Sequence, residues 1–229
     1  MKTIGIIGGM SWESTAEYYR LMNTAVKERL GGLHSARCLI HSVEFAQLEA
    51  WMASGEWDNI AAVLCAAAQG LEAAGADFIL IATNTMHKLA DKVAAATRLP
   101  LLHIAETTAE ALLAAGIKTA ALLGTKATME MDFYTKILEA RGLTVLIPEA
   151  VDRDCLHRII FEELCQGVIS EDSRRVGLEI MNRLRGRGAE AHILGCTELG
   201  LLFRPQDTPV PLFDTARLHA LAAVNRALE

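Results

Sequence analysis

No stretch of about 18 uncharged apolar residues occurs in these 229 residues, although hydrophobic types make up 52% of them, so a membrane span finds no support. There is no basic block either. With a formal net charge of −6 and no clustered Lys or Arg, the chain is unsuited to the phosphates of nucleic acid, and a small-molecule partner is expected. The five cysteines (Cys38, Cys65, Cys155, Cys165 and Cys196) are odd in number, widely spaced and never form CxxC. That pattern suits reduced thiols in a cytosol rather than a disulfide framework, and gives zinc no footing. The seven histidines show no HxxxH or HExxH spacing, so no metal is inferred. The opening "MKTIGIIGGM" holds one Lys and an apolar run too short for a signal peptide, which leaves a cytoplasmic location as the expectation.

What the sequence does hold is alternation. "KTIGIIGG" (Lys2 to Gly9) is a short β-rich run followed by a helical stretch from about Trp12 to Leu30. Similar runs recur at Cys38 to Val43, Phe78 to Ile81, Leu101 to Ile104, Thr119 to Leu123, Leu143 to Ile147, His192 to Leu194 and Pro211 to Phe213. Helical stretches lie between them at Ile60 to Ala74, Met86 to Thr97, Thr107 to Ala115, Phe133 to Arg141, Leu156 to Gln166 and Ser173 to Arg185. Strands alternating with helices of this length imply parallel sheets covered on both faces, an α/β fold.

The chain also repeats itself. "GIIGG" from Gly5 aligns with "ALLGT" from Ala121, an offset of 121 minus 5, or 116. "TNT" at Thr83 matches "CTE" at Cys196 (196 minus 83, or 113), and "PLLHI" at Pro100 matches "PLFDT" at Pro211 (211 minus 100, or 111). Three matches in one order at nearly one offset predict two homologous lobes, 1–115 and 116–229, with the C-terminal helix crossing back to the first. Ligands of open parallel sheets bind beyond the carboxyl ends of the strands. The expected site therefore lies in a cleft between the lobes, with Thr83 and Cys196 facing each other across a pseudo-twofold axis.

Cys196 in "HILGCTELG" follows an apolar strand at the start of an expected helix, where N–H groups and the helix dipole favour a thiolate base. Thr83 holds the equivalent place. Its hydroxyl can relay a proton but holds no populated anion near neutrality, and Thr83, Asn84 and Thr85 also read as a helix cap. The "GIIGGMSWEST" loop has neither GxGxxG nor the P-loop pattern, so nucleotide binding is disfavoured. Gly8 and Gly9 leave the N–H groups of Met10 and Ser11 open to a carboxylate, and Ser11 caps the following helix. Thr125 and Thr128 serve the second lobe likewise. His41 and His103 read as core histidines, and Trp12, Tyr18 and Tyr19 as a core-facing helix stripe.

With "IGIIGGMSWEST" at the front, "TNTMH" in the middle and "GCTEL" near the end, the whole chain resembles the aspartate/glutamate racemase family. That family pairs a cysteine in CNTxH with another in GCTE, the two exchanging the α-proton from opposite faces without pyridoxal phosphate or any other cofactor. This sequence matches the second at Cys196 and carries Thr83 in place of the first. The resemblance implies two pseudo-symmetric, Rossmann-like lobes and a substrate site lined by Met10, Met52, Asn84, Thr85, Thr128, Thr197 and Glu198, while two apolar-rich lobes of this size lead to the expectation of a homodimer. Where relatives often carry a basic contact in "ELxxG", this chain has Cys165 and Gln166, and Met52 stands where some use a polar or basic side chain. A broader amino-acid range stays open for that reason. So do a one-thiol isomerase or lyase of the same superfamily and a non-catalytic amino-acid-binding protein.

Overall fold

A computed structural model describes residues 1–229. Contacts divide the chain into two compact units, Met1–Ile104 with His219–Glu229, and Ala105–Leu218. The first unit holds strands β1 (Ile4–Gly8), β2 (Cys38–Ser42), β3 (Phe78–Ile81) and β4 (Leu101–Leu102). The second holds β5 (Thr119–Gly124), β6 (Thr144–Leu146), β7 (Ala191–Gly195) and β8 (Leu212–Asp214). Each set forms a four-stranded parallel sheet, in the orders β2-β1-β3-β4 and β6-β5-β7-β8. Identical strand orders are what the internal repeat implies.

The helices are α1 (Trp12–Leu30), α2 (Phe45–Ser54), α3 (Trp57–Ala73), α4 (Ala90–Ala95), α5 (Ile104–Ala114), α6 (Lys126–Glu130), α7 (Asp132–Ala140), α8 (Ala150–Arg158), α9 (Glu171–Gly186), α10 (Leu199–Leu202) and α11 (Thr215–Leu228). Alternation of side chains along the strands explains why helices cover both faces. Ile7, Ile79 and Ile81 join a cluster with Leu48 of α2 and Ile60, Leu64 and Ala68 of α3. Their neighbours of opposite parity, Ile4, Ile6, Phe78 and Leu80, are also buried. In the second unit Leu123 and Leu194 pack with Leu156 of α8, Ile180 and Leu184 of α9, and Leu202 of α10. No helix is long and apolar enough to cross a membrane.

Helix α1 shows how the sequence sets its own limits. Ser11 accepts from the Ser14 N–H at 3.2 Å to cap it, Glu13 sits in the first turn, and Lys27 and Arg29 sit in the last, all aligned with the helix dipole. Its buried stripe is Ser14, Thr15, Tyr18, Leu21, Met22, Ala25 and Val26. Trp12 and Tyr19 fall outside that stripe and are 68% and 50% exposed, against the expectation that both lie in the core. His41 is likewise exposed, because β2 is an edge strand, and His103 is half-buried at the end of β4.

Two expected helices have a different winding. The Met86 to Thr97 stretch is a 3₁₀ turn, Thr85–Leu89, followed by α4. The Leu156 to Gln166 stretch leaves α8 for a π-turn at Ile159–Glu163 and a 3₁₀ turn at Leu164–Gln166. Wider winding rotates the residues beyond it, and here it keeps Ile159, Ile160 and Leu164 all facing the second cluster.

Candidate active site

In the second unit β5 and β7 are neighbours in register, Gly124 opposite Gly195, so the loops after them start side by side. Gly195 is needed there: a Cβ on it would stand 2.7 Å from Leu122 Cδ1 and 2.9 Å from the Leu123 carbonyl oxygen. Thr125 accepts from the Thr128 N–H at 3.3 Å to cap α6, and the two hydroxyls lie 3.1 Å apart. The Thr215 hydroxyl donates to the Leu194 carbonyl at 2.8 Å and ties α11 to β7. Thus strand ends and helix starts are fixed by short side chains reaching the backbone.

Cys196, the first residue past β7, is 8% exposed and donates its Sγ–H to Glu198 Oε2 at 3.0 Å. The Thr197 hydroxyl donates to the same oxygen at 2.7 Å. Glu198 is itself 5% exposed. Burial first and the Glu198 carboxylate second, with a smaller push from Cys165, hold the thiol well above its ordinary pKa, against a pull from the Glu198 N–H. This corrects the expectation of a resting thiolate at a helix N-terminus. α10 spans only the four residues Leu199–Leu202, too short for a strong dipole, and the nearest charge is an anion.

In the first unit β1 and β3 are the matching neighbours. The Ala82 N–H donates to the Ile7 carbonyl at 2.9 Å, and the Ser14 hydroxyl donates to the Ala82 carbonyl at 3.2 Å. The loop after β1 turns through Gly9, whose φ of 90° and 2.4 Å separation between a built Cβ and the Val43 carbonyl oxygen leave no room for a side chain. Its N–H donates to the Thr15 hydroxyl oxygen at 2.8 Å, and Met10 is buried behind it. Thr83 is half-buried just past β3, with Asn84 buried and Thr85 half-buried on the same turn.

The residues singled out in the sequence therefore fall into three groups. Cys196, Thr197 and Glu198 form one hydrogen-bonded cluster, and Thr125 and Thr128 cap the neighbouring loop. Thr83, Asn84 and Thr85 share the turn after β3, beside the loop that carries Met10. Met52 stands apart: it lies on α2, half-buried against the apolar cluster of the first unit. No group of three or more His, Cys, Asp or Glu side chains gathers that could hold a metal ion.

His87 closes the "TNTMH" motif, and sequence alone assigns it no role. The ring is 3% exposed, and its Nδ1 lies 2.7 Å from the Thr83 carbonyl oxygen. Its signal was the four-residue step from Thr83, one helical turn. His103, expected in the core, stacks edge-on against it at 4.4 Å between centroids.

Residues 7–223 match the Asp/Glu/Hydantoin racemase family model. A structure of an Asp/Glu racemase candidate from Yersinia pestis is 49% identical, with a TM-score of 0.93 and 100% of both chains covered. That of an aspartate racemase homologue from Pyrococcus horikoshii OT3 is 37% identical with a TM-score of 0.88, again over 100% of both chains. The broad specificity amino-acid racemase RacX of Bacillus subtilis (strain 168) is 25% identical over 161 residues, 69% of this chain and 68% of its own. With the family pattern spanning both sheets and the Cys196 motif at a strand end inside it, this chain belongs to the Asp/Glu/Hydantoin racemase family.

Proposed function

We propose that the protein interconverts the enantiomers of an α-amino acid without pyridoxal phosphate or a metal, with Cys196 as the base and aspartate and glutamate as the first substrates to test. The observation that carries this reading is the Cys196 to Glu198 hydrogen bond at the carboxyl end of β7. A thiol held well above its ordinary pKa is a poor resting nucleophile, but its conjugate base is correspondingly stronger toward a weakly acidic α-proton. Glu198 supplies the way to reach it. The Sγ–H proton passes to Glu198 Oε2, so forming the thiolate leaves the buried pair with a single negative charge; that charge moves to the substrate when the α-hydrogen is taken, and the protons then held by Cys196 and Glu198 equilibrate with solvent. The thiolate then removes the α-hydrogen, and the electron pair left behind spreads into the substrate carboxylate, where hydrogen-bond donors stabilise it.

Return of a proton to the opposite face completes inversion. Thr83 is proposed for that face, its hydroxyl holding a water that donates the proton; the hydroxide left behind is neutralised through solvent by the proton that Glu198 releases, which resets the pair. The relatives named for aspartate and for Asp/Glu support acidic substrates, and the broad-specificity relative supports a wider screen. The test is α-deuterium exchange in deuterated water over the amino acids. Exchange with aspartate or glutamate, abolished by Cys196→Ala and made more even between directions by Thr83→Cys, is the expected result. Full exchange by Cys196→Ala sinks the assignment of the base.

A further inference from the structure

Three histidines gather under the strand ends of the first unit, and their protonation states follow from their partners. The Ile104 N–H donates to His87 Nε2 at 3.2 Å, so Nε2 carries no proton. Nδ1 therefore bears the hydrogen, and donates it to the Thr83 carbonyl at 2.7 Å. His219, on α11, lies 5.8 Å from His87 between ring centroids. Its Nε2 donates to the Leu102 carbonyl at 3.0 Å, which leaves Nδ1 to accept from the Tyr18 hydroxyl at 2.9 Å. Both rings are buried and neutral. Burial and neighbouring imidazoles push His87 well below its ordinary pKa, and burial brings His219 down to about 3.

The second unit shows that the fold does not require an imidazole here. His87 lies four residues past Thr83, and four residues past Cys196 stands Gly200. The space beside Gly200 is filled instead by the Asp214 carboxylate, 2.6 Å from where a Cβ would be. By the same repeat Ile104 corresponds to Thr215, whose own hydroxyl donates to the Leu194 carbonyl. The same strand end is thus held in two ways, and only the Thr83 turn is clamped through a ring that touches its own carbonyl.

We propose that His87 is a positioning residue: by donating to the Thr83 carbonyl while accepting from the Ile104 N–H, it locks the Thr83–Thr85 turn to the start of α5 and so aims the Thr83 hydroxyl. This rests on the racemase reading above, in which Thr83 serves one face of the α-carbon and Cys196 the other. A misplacement of about 1 Å can lower a rate roughly 100-fold, so an effect on one face only is the signature to seek.

The experiment separates deuterium incorporation with retained configuration, which needs Cys196 alone, from inversion, which needs the Thr83 face. It uses wild type, His87→Ala, His87→Asn and His87→Gln, starting from each enantiomer. His87→Ala should slow inversion about 10- to 100-fold while changing retained exchange less than about twofold. Asn, which keeps a donor near Nδ1, should recover more inversion than Gln, which keeps only an acceptor near Nε2. Proportional loss of both rates, or wild-type inversion by His87→Ala, overturns the proposal. Should wild type neither exchange nor invert any amino acid, the racemase reading fails, and amide hydrogen exchange decides the clamp by itself. His87→Ala should then free the Ile104, Asn84 and Thr85 amides while those of β1 and β3 stay protected, and unchanged Ile104 protection refutes it.

Discussion

The two units use one strand order and opposite chemistry at the place where it matters. Past β3 stands a threonine whose carbonyl is held by a neutral buried imidazole; past β7 stands a thiol bonded to a buried carboxylate. The contrast extends to the next strand, where His103 in "PLLHI" answers to Asp214 in "PLFDT". The repeat therefore keeps the positions of functional groups while their acid–base character has diverged. On the proposed reading, one unit passes a proton inside a buried pair and the other orients a hydroxyl. Under the proposed function, the two faces of the substrate are treated unequally in rate, while the equilibrium between enantiomers stays near one.

The largest expected effect comes from removing the feature that most separates the units. Glu198→Gln leaves the thiol without a proton acceptor and should slow α-proton exchange about 10²- to 10⁴-fold, the usual scale of general-base loss. Its pH profile should also change shape. The wild-type pair conserves charge and should give a flat rate near neutrality, whereas the variant must ionise Cys196 to solvent and should gain activity steadily as pH rises. Exchange rates measured from neutral to alkaline pH decide it. A rate within a few-fold of wild type, with an unchanged profile, removes Glu198 from the proton path.

Acid should come next, and should weigh on the first unit more than on the second. His219 titrates at about 3 and His192 at about 4, and His87 is also held well below its ordinary value, burial being the leading cause for each. The folded state binds these protons less readily than the unfolded chain, whose histidines titrate near 6.5. Stability is therefore fully present above that value and is lost as pH falls below it toward the folded values. His219 and His192 should each account for about 2 kcal/mol of the stability lost between pH 7 and pH 5, and His87 adds to that loss in the same direction. Two of the three lie in the first unit. Urea unfolding at both pH values measures the total, and equal stability at the two would mean that the rings gain partners or solvent on protonation.

Gly200→Ala tests the difference from the side of the second unit. The added methyl meets Asp214 Oδ2, while Asp214 Oδ1 already accepts from the Arg217 N–H at 3.1 Å, so the carboxylate has little freedom to move away. A loss of about 1–2 kcal/mol is expected by denaturant titration, in the range for overpacking a filled space. No loss would show that Asp214 yields easily and that the two strand ends are less distinct than they look.

Periodicity encodes some of these features and is silent on others. The buried parallel strands read directly as short apolar runs: Ile4–Gly8, Phe78–Ile81 and Ala191–Gly195 fall where the sequence puts them. The correspondence of Thr83 with Cys196 is legible because the repeat carries register, independent of the residue types. Orientation and partner are not. Trp12 and Tyr19 satisfy an apolar count yet point outward, and α2 escapes notice because its spacing of Phe45, Leu48 and Met52 sits between glutamates directly after a strand. The state of Cys196 is hidden for a similar reason. A helix start in sequence says nothing of helix length, or of a carboxylate two residues on that folds back to within hydrogen-bond reach.

The smallest effect expected carries the opposite sign. His192, the second residue of β7, is fully buried, and neither of its ring nitrogens has a hydrogen-bond partner, unlike the two satisfied rings of His87 and His219. A buried polar group left unsatisfied costs about 1–3 kcal/mol, and an apolar residue of similar volume avoids that penalty while keeping the packing. His192→Leu should therefore leave stability at pH 7 unchanged or raise it by about 1 kcal/mol. The same change deletes a buried histidine held down to about 4, so the drop in stability between pH 7 and pH 5 should shrink by about 2 kcal/mol. His219→Leu, which removes the bonds of that ring to the Tyr18 hydroxyl and the Leu102 carbonyl, should instead destabilise at pH 7. If the two variants behave alike, the satisfied and unsatisfied imidazoles are energetically equivalent, and the distinction between the units at their histidines is one of geometry without consequence.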